Sequence, residues 1–305
     1  MKFLSGALAA LLFATFAVAT VTAAEPLKPV ASFDVGSTHV DKYGSGEPAL
    51  ILIPGLTDSA AEWAGTVAQF APTHAVYALT LAGFGGRVAA QAPLLDKAEA
   101  DVIALMAQEH LRKPVVIGHS LGGHLAIRIA EDHSDLLRGG IAVDGLPVFP
   151  GYEGMTAAVR ASSAAQATAP IAKETHDQFM LYEKTQFIPF MTRADNVPAV
   201  AALSEGADPA ATAQYMKEML SADLRPGLAK IHVPFLELAP YDDTMDAHPP
   251  VDLPNSEAKK AYYLSLLTNN RRLQVNMIEN SRHFIMYDQP QAFYDAVSAF
   301  LKTLP

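Results

Sequence analysis

Short apolar runs alternate along the chain with segments that have helical spacing. The run from Ala49 to Ile53 is closed by Pro54 and Gly55, which is typical of a strand buried on both faces. Residues 96–111 instead carry apolar side chains three and four positions apart, as an amphipathic helix does, and Pro114 separates them from an apolar run at 115–117. The same reasoning predicts strands at 75–79, 141–143, 235–238 and 273–278 and helices at 121–130 and 291–301. The alternation predicts an α/β fold in which a mainly parallel sheet has helices on both faces.

Residues 145–228 break this alternation. They are rich in Ala and Met, have helical spacing and contain no convincing strand. We therefore predict a helical cap at 145–228, inserted between core segments at 25–144 and 229–305. Most of its large apolar residues are expected to pack the cap onto the core, and together they are candidates for the wall of an apolar pocket: Phe149, Tyr152, Met155, Phe179, Met180, Tyr182, Phe187, Phe190, Met191, Tyr215, Met216 and Met219.

The first 24 residues have the pattern of a signal peptide. Lys2 precedes an apolar run that extends to Ala19, and small residues follow it up to Ala24. Cleavage is expected after Ala23 or Ala24. An uncleaved membrane anchor is the alternative, but polar residues dilute the run and no stop-transfer flank follows it. We expect a periplasmic or secreted protein with no stable membrane insertion after cleavage.

Composition excludes several classes of function. The chain has 305 residues, of which 50% are hydrophobic and 18% charged, so it can bury a substantial core. Its net charge of -10 would repel a phosphate backbone, and nucleic-acid binding is not expected. Because cysteine is absent, disulfides, thiolate nucleophiles and cysteine-ligated metals are excluded.

One motif indicates chemistry. The sequence Gly118-His119-Ser120-Leu121-Gly122 lies where the predicted strand at 115–117 turns into the predicted helix at 121–130. This Gly-x-Ser-x-Gly pattern in a strand-to-helix turn is the signature of a nucleophile elbow. A serine hydroxyl is a poor nucleophile in water, so it has to be presented on a tight turn beside a base and oxyanion-binding amides. Ser120 is therefore the predicted nucleophile.

With this motif, the chain resembles the α/β-hydrolase family from about Pro48 to Leu301, apart from the insertion. Three further segments carry the resemblance: Leu50–Leu56 (LILIPGL) is similar to the family's oxyanion loop, Leu79–Gly85 (LTLAGFG) to its Asp-Leu-x-Gly-x-Gly turn, and Asn280–Phe284 (NSRHF) to the loop that carries its catalytic histidine. Pro54 stands where many members have His, and Thr80 replaces the Asp of the turn. The resemblance implies an α/β-hydrolase sheet and an oxyanion hole formed by the backbone amides of Leu56 and Leu121.

The base for Ser120 is predicted to be His283, which follows the last predicted strand and completes the chain order Ser, acid, His. The acid is expected just beyond the strand at 235–238, where its carboxylate would hold the histidine tautomer. The family's usual spacing favours Asp243, with Asp242 as an alternative. Asp144 is a further alternative, because some relatives of the fold place the acid after the strand at 141–143.

The predicted reaction is hydrolysis of a carboxylic ester with a small or medium hydrophobic acyl or aryl group, through an acyl-enzyme. The alternatives are a lactonase, an aminopeptidase and a non-catalytic hydrolase-like binding protein. An aminopeptidase would need a buried acid in the insertion to hold a substrate amine, and the candidates are Glu153, Glu174, Asp177, Glu183 and Glu205. No cofactor is predicted, since the glycines at 83–86 lack the nucleotide-binding fingerprint. No metal is predicted either, because Asp246 and His248 lack a fuller ligand set.

Overall fold

A computed structural model describes residues 27–248, 252–268 and 270–305. The predicted signal peptide lies outside these described residues. The centre of the described chain is an eight-stranded sheet. Its strands in chain order are β1 (Ala31–Val35), β2 (Thr38–Tyr43), β3 (Leu50–Ile53), β4 (Val76–Thr80), β5 (Val115–His119), β6 (Gly139–Val143), β7 (Phe235–Tyr241) and β8 (Leu273–Glu279).

Neighbouring strands follow the order β1-β2-β4-β3-β5-β6-β7-β8. β2 pairs antiparallel with both β1 and β4, and all the remaining pairs are parallel. The predicted, mainly parallel α/β sheet is thus confirmed. In such a sheet the carboxyl ends of the parallel strands share one edge, which is where ligands bind in open α/β folds.

Helices connect the parallel strands and cover the sheet. They are α1 (Ala64–Phe70), α2 (Leu94–Gln108), α3 (Leu121–Asp132), α4 (Ala157–Thr168), α5 (His176–Tyr182), α6 (Ile188–Met191), α7 (Val197–Leu203), α8 (Pro209–Ser221), α9 (Asp243–Asp246), α10 (Ser256–Leu266), α11 (Ile285–Asp288) and α12 (Pro290–Thr303). None of the helices in the described ranges combines the length and the apolar character that crossing a membrane requires.

Both faces of the sheet are buried. In β5 the side chain of Val116 belongs to one apolar cluster, whereas Val115 and Ile117 belong to another on the opposite face. Successive side chains of a strand point to opposite faces, so a strand covered on both sides needs apolar residues at every position. This requirement explains why the central strands are continuous apolar runs in the sequence.

The hairpin of β1 and β2 has no counterpart among the predicted strands. β1 lies at the edge of the sheet, and Phe33 and Val35 are its least exposed residues. An exposed edge strand needs no continuous apolar run, so its sequence resembles a polar loop. The sequence pattern also did not predict helix α10. Only a few of its residues are buried, and exposed polar residues separate them.

Helices α4 to α8 all lie within the predicted insertion. Residues 145–228 are entirely described and contain no strand, as their composition indicates. Helices α4 and α8 pack against each other, and α8 also contacts α2 and α3 of the sheet layer. A single π-helical turn, Glu183–Phe187, joins α5 to α6. Residues of this helical segment line the same cavity as Ser120, which follows β5.

Candidate active site

Ser120 occupies a sharp turn between β5 and α3. Its backbone has φ 52° and ψ -112°, a conformation that is unfavourable for a residue with a side chain. The turn is possible because Gly118 and Gly122 flank it: a Cβ at Gly118 would collide with the carbonyl oxygen of Gly122, and one at Gly122 with that of Ile53. The predicted elbow therefore has the strained geometry that presents a serine side chain at the edge of a sheet.

His283 lies in the loop that follows β8, as predicted. Its Nδ1 is 2.5 Å from Oδ2 of Asp144, the first residue after β6. The other carboxylate oxygen of Asp144 accepts a hydrogen bond from the Tyr263 hydroxyl. Burial by itself would raise the pKa of Asp144, but the charge and hydrogen bond of His283 outweigh burial and lower it to about 2. A carboxylate accepts only, so His283 Nδ1 is the donor and Nε2 is left free to act as a base.

The predicted contact between Asp243 and His283 is wrong. β7 continues beyond its predicted end at residue 238, so Asp243 becomes the first residue of α9 and its side chain is exposed. Asp242 is buried but engaged elsewhere: one of its oxygens lies 3.2 Å from Arg193 and 3.1 Å from Arg282. Of the three acids considered from the sequence, Asp144 is the one in contact with His283.

Two residues are predicted to supply oxyanion-binding amides: Leu121 follows Ser120 in the chain, and Leu56 lines the same cavity as Ser120. In the described part of the chain, neither the Leu56 amide nor the Leu121 amide has a hydrogen-bond acceptor. Leu121 is the first residue of α3, where a helical N–H has no partner within the helix. Both donors are consequently available to a ligand. Ser120 Oγ and His283 form no hydrogen bond with each other among the described residues, an arrangement that ligand-free sites often have.

A cavity of about 700 Å³ connects these groups. Ser120, His283, Asp144 and Leu56 all line it. Much of the opposite wall comes from the insertion, and its members are mainly apolar: Phe149, Pro150, Ala167, Ile171, Phe179, Tyr182, Phe187, Ile188, Met191, Met216 and Met219. Seven of the twelve apolar insertion residues that were candidates for a pocket wall line the cavity: Phe149, Phe179, Tyr182, Phe187, Met191, Met216 and Met219.

A buried network that the sequence did not predict lies behind Ser120. Glu62 Oε2 accepts a hydrogen bond of 2.8 Å from the Gly55 amide, and Glu62 Oε1 contacts Nδ1 of His119. Nε2 of His119 donates to the carbonyl oxygen of His283 over 3.1 Å. Its ring also packs against the His283 ring, with centroids 4.5 Å apart. Glu62 thus connects the oxyanion loop, the elbow and the histidine loop.

The ring of His119 is fully buried. The signal for Glu62 was the presence of one acid inside the otherwise uncharged segment at 59–70, since an isolated acid in such a segment needs a buried partner. Tyr263 had no comparable signal.

Asp58, Glu62 and His119 bring ligand atoms to within 4.8 Å of one another, close enough for the residue types that bind metals. Glu62 and His119, however, are in direct contact, closer than two ligands of one metal ion normally come. This direct contact argues against a cation bound by both side chains.

Comparison with known proteins agrees with the geometry. The sequence model described as "Alpha/beta hydrolase family" matches residues 50–296. The chain belongs to the alpha/beta hydrolase family, and the predicted fold class is confirmed. A pimeloyl-[acyl-carrier protein] methyl ester esterase of Yersinia enterocolitica is 24% identical over 226 residues, which are 70% of this chain and 82% of that protein.

Two solved structures share the fold. A thermophilic esterase from Thermogutta terrifontis superposes with a TM-score of 0.72 at 17% identity, over 89% of this chain and 98% of that chain. An enol-lactonase from Burkholderia xenovorans superposes with a TM-score of 0.66 at 20% identity, over 89% of this chain and all of the other. Esterases and other hydrolases are thus among its relatives and structural neighbours.

Proposed function

We propose that this alpha/beta hydrolase is a serine hydrolase that cleaves carboxylic esters. The observation that carries the proposal is that Ser120, on a strained elbow, and the hydrogen-bonded pair of His283 and Asp144 open onto one cavity. Its similarity to a methyl ester esterase supports the same class of bond. Asp144 replaces Asp243 as the acid of the proposed triad, because it is the carboxylate that contacts His283.

The reaction proceeds in two acyl transfers. Nε2 of His283 takes the proton of the Ser120 hydroxyl as Oγ attacks the ester carbonyl, and Asp144 stabilises the imidazolium that forms. The amides of Leu56 and Leu121 donate hydrogen bonds to the oxyanion. The imidazolium then protonates the departing alcohol, which leaves an acyl group on Ser120. A water molecule, deprotonated by the same imidazole, attacks this acyl group, and the imidazolium returns the proton to Ser120 Oγ as the carboxylic acid is released.

The cavity supports a small or medium hydrophobic substrate. A volume of about 700 Å³ accommodates a ligand of modest size, and the insertion supplies a mainly apolar wall. Apolar pockets bind acyl chains through burial of their methylene groups and discriminate only weakly between neighbouring chain lengths. We therefore expect activity on a range of short acyl and aryl esters.

The test is release of p-nitrophenol from acetyl to octanoyl esters by the purified protein and by Ser120→Ala. Ser120→Ala should lose activity by at least about 10³-fold. Ser162→Ala, which changes an exposed serine of α4, is the matched control and should retain full activity. A fluorophosphonate probe should label the wild type and not Ser120→Ala. Equal hydrolysis by the wild type and Ser120→Ala would refute a serine mechanism, and a wild type that neither turns over nor labels would instead be a binding protein.

We also propose that the enzyme works outside the cytoplasm, on the strength of the signal-peptide pattern in the first 24 residues. The full chain expressed in a bacterial host should be recovered from the periplasm or medium with Ala24 or Glu25 as its first residue. Recovery of an intact N-terminus from the cytoplasm would contradict this proposal and leave the esterase proposal unaffected.

A further inference from the structure

Two of the acids on the cavity wall are neutralised by basic partners. Asp144 is paired with His283 at 2.5 Å, and Asp246 is paired with Lys259 at 2.8 Å. His124 also lines the cavity, but burial lowers its pKa to about 4, so it carries no positive charge near neutral pH. The basic side chains of the wall are therefore either paired with an acid or uncharged.

Three further acids line the same cavity, namely Asp58, Glu174 and Glu183. In the part of the chain that the structure describes, none of the three forms a salt bridge. The wall consequently has an excess of acid over base. A cation that enters such an apolar cavity favours the ionised form of these carboxyl groups, so the excess of acids favours a cationic ligand over a neutral one.

Glu183 is the acid best placed to touch a ligand. It begins the π-helical turn that joins α5 to α6, and turns of this kind occur frequently at functional sites. Its side chain lines the cavity although the residue is only 6% exposed. Among the described residues, no hydrogen bond to its carboxylate is formed. Burial, and to a lesser extent the charge of Glu174, raises the pKa of Glu183 to about 7.

Asp58 lies deeper, beneath the oxyanion loop. It is 1% exposed, and neither carboxylate oxygen has a hydrogen-bond partner among the described residues. Oδ2 would lie 3.2 Å from a Cβ built on Gly55, so the carboxylate is adjacent to the loop that offers the Leu56 amide. Burial and the charges of Glu62 and Glu183 hold the pKa of Asp58 well above its usual range. Such a carboxyl gains from any positive charge that comes near it.

We propose that the cavity recognises a protonated amine close to the scissile carbonyl, with Glu183, ionised by the bound ammonium group, accepting its hydrogen bonds and Asp58 lying beside the same site beneath the oxyanion loop. The substrate class is then small esters that carry a primary ammonium group, whose methylene groups contact the apolar wall. This inference rests on the proposed esterase function and names the substrate of that site. Of the five acids suggested by the sequence as amine ligands, it selects Glu183. Glu153 is bound by the Tyr262 hydroxyl, and Glu205 by Lys184 at 3.2 Å.

The test compares esters that differ in one terminal group. Phenyl 3-aminopropanoate, phenyl butanoate and phenyl 3-hydroxypropanoate present an ammonium, a methyl and a hydroxyl group at the same position. We expect kcat/KM for the ammonium ester to exceed that of both isosteres by about tenfold or more, as charge-assisted hydrogen bonds typically allow. Glu183→Gln should abolish this preference. Glu205→Gln, which changes an exposed acid of the same insertion, should keep it.

A second arm needs no variant. n-Butylammonium should inhibit hydrolysis of phenyl butanoate competitively, at a concentration about tenfold below that needed for 1-butanol. Equal inhibition by the two, or a preference for the ammonium ester that survives Glu183→Gln, would overturn the proposal. If Glu183→Gln does not fold, this inhibitor pair and Asp58→Asn decide the question.

The two proposals fail in different ways. Hydrolysis of phenyl butanoate without any ammonium preference contradicts the amine site and leaves the esterase intact. If no ester is cleaved, titration of the protein with n-butylammonium and 1-butanol by calorimetry still tests the amine site, since tighter binding of the amine supports it and equal binding refutes it.

Discussion

Two neighbouring strands of the sheet are each followed by an aspartate with a largely inaccessible side chain, and only one of these aspartates contacts the histidine. Asp144 follows β6 and is hydrogen-bonded to His283, whereas Asp242 follows β7 and is paired with Arg193 and Arg282. Both environments lower the pKa of the carboxyl group below its usual value. A position at the carboxyl edge of the sheet therefore does not determine the role of an acid. The role of each acid depends instead on which positively charged partner neutralises it.

The largest effect expected from this comparison is on activity. Asp144→Asn should reduce kcat/KM for short esters by about 10³- to 10⁴-fold, because the amide no longer stabilises the imidazolium or fixes the His283 tautomer. Asp243→Asn, at the exposed neighbouring position, is the matched control and should remain within about twofold of the wild type. The comparison of the two strand ends would be broken if Asp243→Asn were the more damaging change.

Asp242→Asn should instead act mainly on stability. Its carboxylate is 2% exposed and faces two arginines, of which Arg193 is 47% exposed, so its loss should cost less than that of a fully buried pair, about 2 kcal/mol. Chemical denaturation should show a loss of about this size, while kcat/KM per folded molecule stays within about tenfold of the wild type. A loss of activity as large as that of Asp144→Asn, without a loss of stability, would reverse the roles assigned here.

The pH dependence of stability sharpens the same contrast. Because the folded-state pKa of Asp144 is lowered to about 2 from 3.8, its stabilisation is present above about pH 3.8 and is lost as the pH falls through 2. This shift corresponds to about 2 kcal/mol. Between pH 5 and pH 3 the unfolding free energy of Asp144→Asn should fall less steeply than that of the wild type. Asp243→Asn should retain the wild-type slope, and identical slopes for all three proteins would contradict the assigned environment.

The smallest effect is expected for Glu62, which lies behind the elbow. Glu62 contacts His119, which in turn contacts the carbonyl group and the ring of His283. Glu62 therefore acts on the position of the His283 ring and not on its nitrogen atoms. Glu62→Gln keeps an acceptor for the Gly55 amide but weakens the pairing with His119. As a positioning residue, Glu62 should affect kcat by about tenfold while KM changes less than about twofold. Glu47→Gln, an exposed substitution, serves as the control. A change confined to KM would mean that Glu62 shapes the substrate pocket and does not position the histidine.

Sequence alone predicted much of the fold and two positions of the site. The apolar runs located the parallel strands because both faces of the sheet are buried, and the Gly-x-Ser-x-Gly pattern predicted the strained turn at Ser120. The position of His283 followed from the last strand and the final helix. These features depend on local residue patterns, which a single sequence contains.

The acid could not be chosen in the same way. Which carboxylate reaches His283 depends on where β7 ends and on Arg193 and Arg282, which neutralise Asp242 from distant parts of the chain. The same limit applies to Tyr263, whose contact with Asp144 joins residues far apart in sequence. Long-range partners of buried charges have no local signature, so the structure was needed to identify them.

The junction between Asp144 and the helical insertion has an evolutionary consequence. Gly145 packs so tightly against Gly123 of α3 that a Cβ at either residue would collide, and the carbonyl of Leu146 is held by His124 at 2.9 Å. These contacts fix the first residues of the insertion against helix α3. Substitutions within the insertion beyond this junction can therefore alter the cavity wall while the junction keeps Asp144 in place, so the same pair of Asp144 and His283 can come to serve different substrates.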